Sequence, residues 1–357
     1  MNEVIEAYSM PYDVHGSPYF KSWRAALARV PEPIRLSPLP EGGLWALLLQ
    51  RPWRSSRRIL CVHWSTELYG SRYLSLSVLR LASNVLAVLI LKAFFGFKVT
   101  WVLHNNHAHD YPHPRMDRFG RSVTAALAEG IVAQQAASAE KMRARYPRKR
   151  VAYVPLSNDI GEYGPLIRDK RAMRARFGFA ERDIVCLVLG SVRPYKRIEK
   201  ILEAFQALTD AERSHLALWI AGMGNPKQYF DGLREMAEGD PRIHFENTFI
   251  PDADIAAYAA CADYSVAYFD DSELTSASIM LSLSYGLPVI VRDIAGAERV
   301  KDGVNGYTFQ DTEGLTRIFA GLKDTAVPSQ DMVIASVAAD TWDAAAEKYL
   351  ALWSALV

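Results

Sequence analysis

The sequence predicts an α/β protein of two doubly wound domains, on three observations. Short apolar runs alternate with longer helical patterns along all 357 residues, as βα units around parallel sheets do. The chain is long enough for two hydrophobic cores. Residues 155–165, rich in Gly, Pro, Asn and Asp, interrupt the alternation and leave a series of similar size on either side.

The first series predicts strands at 4–8, 59–64, 99–104, 130–133 and 151–154, with helices such as 19–29 and 116–127 between them. The second predicts strands at 184–190, 216–221, 243–245, 264–267 and 288–292, with helices such as 198–208 and 276–285. Domain bounds follow at 1–157 and 158–340. A helical pattern over 341–357, with Trp342, Tyr349, Leu352 and Trp353 available to pack, either closes the second domain or crosses back to the first. Two doubly wound halves imply a cleft between them, the usual place for a ligand.

Half the residues are hydrophobic and 23% charged, the balance of a soluble globular protein. Met1 to Glu6 place no basic stretch ahead of an apolar one, so a cytoplasmic chain without a signal peptide is expected. Cys61, Cys186 and Cys261 each sit in an apolar run and share no metal spacing, which predicts buried thiols in a reducing compartment. The net charge of +1 hides an asymmetry: residues 1–157 hold 21 Lys and Arg against 10 Asp and Glu, and the remainder hold 20 against 30. A basic half of this kind is expected to meet something anionic. Arg51, Arg54, Arg57 and Arg58 cluster beside Trp45, Leu47, Leu48, Leu49 and Trp53, just before the apolar stretch 74–97. That stretch is broken by Arg80, Asn84 and Lys92, and its uninterrupted part is too short to span a bilayer. Two readings remain for it: a buried helix of the first domain, or a helix lying on an anionic membrane surface beside the arginines.

The most informative segment runs from Leu187 to Ile198, where an apolar strand ends in Gly190 and a short loop presents Arg193, Lys196 and Arg197 before a helix. A glycine lets a bulky ligand approach the backbone, while cations and a helix N-terminus suit phosphate. Downstream, the polar loop Asp270–Ser278 opens a second helix with Thr275 and Ser276, a second anion site that needs no metal. Glu273 stands one turn earlier, within reach of sugar hydroxyls. Tyr285-Gly286-Leu287-Pro288-Val289 then turns into a buried strand, followed by Glu298 and the run Asp302-Gly303-Val304-Asn305-Gly306.

As an ordered set, Gly-x-x-Arg-x-Tyr-Lys at 190–196, Leu-x-Ile-Ala-Gly-x-Gly at 218–224, Tyr-Gly-Leu-Pro-Val at 285–289 and Glu-x-x-x-Asp-Gly-x-Asn-Gly at 298–306 resemble glycosyltransferase family 4 and its relatives. The resemblance covers most of 184–310. It implies the GT-B fold, with two Rossmann-like domains facing across a cleft, and a C-terminal domain that binds the nucleoside diphosphate of an activated sugar. It also implies that Arg193 and Lys196 neutralise the leaving diphosphate beside Gly190, that Thr275 and Ser276 hydrogen-bond it, and that Glu298 lies near the ribose. The sequence departs from the family pattern twice. Glu273 matches the first of the family's two glutamates, but Leu281 stands at the second, and Ser191 replaces the usual arginine after the loop glycine. The Thr-Ser variant resembles transferases of bacterial surface polysaccharides, and both retaining and inverting transfer stay open.

The first domain matches more loosely. Its loop at 10–20 resembles the family's glycine-containing loop and places Asp13 and His15 as acceptor-side candidates, with His63 at the end of the next strand. His104, Asn105, Asn106, His107, His109 and Asp110 form a dense polar cluster at another strand end, where doubly wound domains put their sites. Its histidine spacing fits no established zinc pattern, so no metal is expected. Asp110 is the candidate base, His109 its rival, and His104 resembles the family histidine that orients the donor sugar.

The expected function is metal-independent transfer from a UDP- or GDP-sugar to a hydroxyl of an oligosaccharide or polyprenyl-linked glycan, with no cofactor and no nucleic acid partner. Exopolysaccharide or surface-glycan assembly at the inner face of the cytoplasmic membrane would use such an enzyme, whether hexosyl-, mannosyl- or glucuronosyltransferase. A nucleotide-sugar epimerase on the same fold and a non-catalytic nucleotide-sugar-binding partner are the rivals. A dinucleotide oxidoreductase is disfavoured because no Gly-x-Gly-x-x-Gly follows the first strand.

Overall fold

The computed structural model describes residues 4–14, 18–105, 107–108, 111–270, 276–294 and 297–357. The chain divides into two compact units, one of Met1–Ser157 with Asp340–Val357 and one of Asn158–Ala339.

The first unit runs β1 (Ile5–Met10), α1 (Pro18–Leu27), β2 (Ile34–Pro38), α2 (Gly43–Gln50), β3 (Arg58–Val62), α3 (Leu74–Phe95), β4 (Lys98–Leu103), α4 (Pro114–Leu127), β5 (Gly130–Ala133), α5 (Ala136–Arg145) and β6 (Arg150–Tyr153). The strands are all parallel, in the order β2-β1-β3-β4-β5-β6. Ile5, Ala7, Ile59, Cys61, Val102 and Val132 point to one face and pack on Phe20, Trp23 and Leu27 of α1. Leu60, Val62, Val99 and Trp101 alternate with them and are buried on the other face, where α4 packs on β4 and α3 on α4.

The second unit continues with α6 (Lys170–Phe177), β7 (Ile184–Leu189), α7 (Ile198–Gln206), α8 (Asp210–Arg213), β8 (Leu216–Ala221), α9 (Lys227–Met236), β9 (Ile243–Glu246), α10 (Ile255–Cys261), β10 (Tyr264–Ala267), α11 (Ala277–Ser284), β11 (Val289–Arg292), β12 (Gly306–Phe309), α12 (Thr312–Gly321) and α13 (Gln330–Ala335). Its parallel order is β12-β11-β10-β7-β8-β9. Cys186, Val188, Leu218 and Ile220 meet Ile201, Leu202 and Phe205 of α7 on one side. Val185, Leu187, Ala217 and Trp219 meet Ile255, Tyr258 and Ala259 of α10 on the other. These apolar strands are covered on both faces, as in parallel sheets generally.

The last helix, α14 (Trp342–Ser354), belongs to the first unit. Ala346, Tyr349, Leu352 and Trp353 fill the same core as α1, and Arg29 donates to Asp343 at 2.6 Å. Of the two fates open to this segment, it takes the return to the N-terminal sheet. All three cysteines are buried and free.

Three elements differ from the sequence expectation. β2 and β12 were not expected. Both are short edge strands, one flanked by prolines that an edge position tolerates and the other hidden behind a glycine turn. The segment 74–97 is neither wholly buried nor wholly free. α3 buries the stripe Ser77, Leu81, Val88 and Leu91 and exposes most of the rest.

Candidate functional site

In the second sheet, β8 and β9 lie to one side of β7 and β10, β11 and β12 to the other, so the topology reverses between β7 and β10. Ligands of open α/β sheets bind at the carboxyl end of such a reversal. The loops there carry the nucleotide-side candidates. Gly190, Arg193 and Lys196 follow β7, Ser276 precedes α11 after β10, and Glu298 follows β11.

Local sequence explains how the first loop is held. Gly190 has φ +93, and a Cβ built there would lie 3.7 Å from Lys196 Nζ, so the ammonium rests over bare glycine backbone. The loop is tied to its neighbour through Gly190 N–H to Ala221 O (2.9 Å), Val192 N–H to Met223 O (2.9 Å) and Asn225 N–H to Val192 O (2.9 Å). Gly222, at φ +150, permits this approach, because a Cβ there would stand 2.1 Å from the Gly190 carbonyl oxygen. Arg193 Nε donates to Ser191 Oγ at 3.2 Å.

The three loops are stitched together. Asp270 N–H donates to Tyr195 O at 2.9 Å, and the Tyr195 and Phe269 rings lie near parallel 6.3 Å apart. Arg292 Nη1 donates to Phe269 O at 3.2 Å, joining the end of β11 to the loop after β10. Arg292 therefore fastens the frame. Arg197, a third loop cation in the sequence, pairs with Glu199 at 2.7 Å. Ser276 caps α11 as its first non-helical residue, is buried, and shares a 2.8 Å hydrogen bond between its Oγ and that of Ser278. Its own side chain makes no capping bond to the helix. The first amides of α11 point from this end, where orphan N–H groups favour an anion. Glu298 is exposed in the turn after β11. The Asp-Gly-x-Asn-Gly run is architectural: buried Asn305 donates to Arg299 O (2.9 Å) and Ser336 Oγ (2.8 Å) and accepts from Lys301 N–H (2.7 Å). Glu273 and Thr275 lie outside the described residues.

In the first sheet the reversal falls between β1 and β3. Asp13, on the loop after β1, is exposed, accepts from Val14 N–H at 2.9 Å and faces Arg24 at 3.6 Å. His63 follows β3, and it corrects the expectation of an acceptor-facing histidine. It is 1% exposed, wrapped by Phe20, Trp23 and Tyr19, with Nδ1 3.2 Å from His104 Nε2. Only His104 of this pair reaches toward solvent, at the end of β4. Burial, reinforced by the neighbouring ring, holds His63 well below the ordinary imidazole range. Burial also brings His104 down to about 4, against a hydrogen bond with Gln134 that works the other way. Two neutral rings suit a single N–H···N bond, one donating and one accepting.

The loop after β4 is held from below by Asp117. This buried carboxylate accepts from Tyr69 OH at 2.6 Å and from Ala108 N–H at 3.2 Å, while Arg121 donates to Asn105 O at 2.5 Å and stacks over Trp101. Gly120 makes room for the Tyr69 ring, 2.3 Å from where its Cβ would be. Beside the loop lies a 710 Å³ cavity whose lining includes His107, Tyr111, Arg118, Arg121, Lys141 and Arg145. The cavity brings Arg118 and Arg121 of α4 together with Lys141 and Arg145 of α5, cations far apart along the chain. His15, His109 and Asp110 lie outside the described residues.

Residues 183–323 match the family model described as Glycosyl transferases group 1. Over that stretch the chain is similar to the group 1 glycosyl transferases. This family domain contains the β7, β10 and β11 loops just described. Among curated proteins, the chain is similar to the D-inositol 3-phosphate glycosyltransferase of Geodermatophilus obscurus, at 28% identity over 215 residues, 55% of this chain and 45% of that protein. The chain thus spans about half the length of the curated relatives it matches. Among solved structures, HepE of Anabaena in complex with UDP superposes with a TM-score of 0.69 at 15% identity, covering 98% of this chain and 99% of that one. The sucrose-phosphate synthase of Thermosynechococcus elongatus gives 0.71 at 16%, covering 99% of each. At such identity these likenesses speak for the fold, and the fold is GT-B.

Proposed function

We propose that this chain is a group 1 glycosyl transferase and moves a sugar from a UDP-sugar to a hydroxyl group of a glycan acceptor. The observation that carries the reading is the coincidence of the family domain with a cation, bare-glycine backbone and a helix N-terminus at one topological reversal. HepE, similar in fold, is solved with UDP and with UDP-glucose, which supports UDP as the nucleotide.

In this reading the bond between the anomeric carbon and the β-phosphate oxygen breaks, and the bond to the acceptor oxygen forms. Negative charge builds on the departing diphosphate. Lys196, Arg193 and the first amides of α11 stabilise it, a task that fixed donors in a site shielded from water perform well. Ser276 adds a hydroxyl at the same helix end, and Glu298 accepts from the ribose. His104 orients the donor sugar, with neutral His63 fixing its ring from behind. The acceptor hydroxyl gives up its proton to Asp110, with His109 the rival base. The acceptor is an oligosaccharide or lipid-linked glycan of a bacterial surface polysaccharide, and the enzyme works in the cytoplasm at the inner membrane face. Buried free thiols and a basic first unit support that setting.

The test compares wild type with Asp110→Asn, measuring UDP release from a panel of UDP-sugars with glycan acceptors and UDP affinity by thermal shift. The expected result is acceptor-dependent release by wild type, with turnover lost in the variant and UDP affinity kept. Normal turnover in the variant removes Asp110 as the base. Release that ignores the acceptor removes the transferase reading.

A further inference from the structure

α3 has the wrong outer surface for a helix of a soluble domain. A surface helix ordinarily turns charged residues outward, yet this one, 22 residues long, holds only Arg80 and Lys92 as charges and no acid. Its buried stripe, Ser77, Leu81, Val88 and Leu91, meets the first unit. Its outer side presents Leu74, Leu76, Val78, Leu79, Leu86, Leu89 and Phe94, with Leu79 65% and Phe94 77% exposed. α2 extends the surface: Trp45 Nε1 donates to Ser83 Oγ at 2.8 Å, fixing α2 on α3, and Leu49 is 78% exposed. A contiguous apolar surface on this scale marks an interaction site.

Length and composition alone would let α3 cross a bilayer. Its place in the fold argues otherwise. It joins the neighbouring parallel strands β3 and β4, and is held by Asn84 Nδ2 to Leu68 O (2.9 Å) and Tyr111 OH to Ser77 Oγ (2.7 Å). A helix anchored in this way is part of its domain and does not cross a bilayer.

Cations mark both ends of the apolar face. Arg72 stands before α3, its guanidinium over Tyr73, and Arg51 lies 4.8 Å from the Phe95 ring at the far end, with exposed Arg54 close in sequence. An apolar strip rimmed by arginines complements a bilayer with anionic headgroups. One further feature gives the surface a purpose. A 670 Å³ cavity opens between α2, α3 and the loop after β1, lined by Leu79, Arg80, Asn84, Leu44, Glu67 and Asp13. Leu79 thus belongs both to the apolar face and to the cavity that leads to Asp13.

We infer that the outer face of α2 and α3 seats in an anionic membrane surface, and that the adjoining cavity receives the headgroup of a lipid-held acceptor. The acceptor half of this inference rests on the transferase reading above; the docking half does not.

Flotation with phosphatidylglycerol vesicles and with phosphatidylcholine vesicles tests it, alongside the thermal shift produced by UDP. Wild type is expected to float with the anionic vesicles, to stay behind with the neutral ones, and to be released by salt. Leu79→Glu with Phe94→Glu should lower vesicle partition at least about tenfold. Arg51→Gln with Arg72→Gln should lower it about twenty-fivefold, since each cation near an anionic leaflet contributes about fivefold. All these side chains are exposed or half exposed, and the UDP shift should persist in every variant, which reports that the chain is folded. Wild type left unbound by anionic vesicles while UDP still shifts its melting would overturn the inference. So would a dimer in sedimentation that Leu79→Glu with Phe94→Glu turns into monomer, for then a second copy covers the face. Vesicle binding without any UDP shift would leave the docking surface standing and sink the transferase reading.

Discussion

At the scale of single residues, the paired imidazoles His63 and His104 show how burial sets chemistry. Their neighbours are Cys61, Tyr19, Trp23, Trp64 and Gln134, so desolvation dominates and both rings stay neutral near pH 7. A histidine whose folded value lies below its unfolded one costs nothing above the unfolded value and loses stability as pH falls toward the folded value. For His104 the window runs from about 6.5, the ordinary value, down to about 4. Between pH 7 and pH 5, urea unfolding should therefore show wild type losing about 2 kcal/mol more stability than His104→Gln, since the contribution of His63 is common to both. Asp159, in the second unit, titrates with the opposite sign. Burial, then Glu162, raises its carboxyl to about 7, so acid relieves it, and the difference between wild type and variant isolates the histidine. Equal acid sensitivity in the two proteins would contradict the assignment. The histidines were visible in the sequence as strand-end residues, but their separate fates were not. The burial of His63 depends on α1 folding over it, a contact 40 residues away along the chain.

At the scale of elements, strands buried on both faces were legible because their apolar runs are continuous. The runs at 216–221 and 264–267 are strands with those same bounds. Edge elements were not, since half of each edge strand meets solvent and its composition reads as loop; β2 carries Arg35, Ser37 and Pro38. The glycine motifs were legible as punctuation, while the reason for each came from packing. Gly222 is the clearest case. Its residue pattern marked a loop, but only pairing of β7 with β8 shows that any Cβ would strike the Gly190 backbone. Gly222→Ala should lower the stability of the second unit by about 2–4 kcal/mol and weaken UDP binding, because the loop carrying Lys196 must shift. A variant with unchanged melting temperature and UDP affinity would show that this close approach has no such importance. α3 was only half legible: its apolar length was plain, but which side met the protein depends on its seat against α4.

At the scale of the whole molecule, charge divides with the units. The first, with α14 included, holds 22 Lys and Arg against 13 Asp and Glu, and the second holds 19 against 27. The acidic unit still presents cations at the one place where an anion is expected, which is why local arrangement outweighs net charge there. Its motifs were readable in order because each answers a local demand: a bare glycine beneath a cation, a helix end open to an anion, a clamp around Asn305. The acceptor side was less readable, for its candidates come from loops whose meaning depends on packing among α2, α3, α4 and α5. The central claim is that the loop after β7 and the start of α11 hold a diphosphate without metal. Calorimetric titration of UDP in the presence of EDTA, with wild type and Lys196→Ala, tests it most directly. Binding by wild type that Lys196→Ala weakens about tenfold to a hundredfold, the usual worth of a charge-assisted hydrogen bond to phosphate, is the predicted result. UDP binding that requires a divalent metal, or an affinity unmoved by the loss of the lysine, would contradict it.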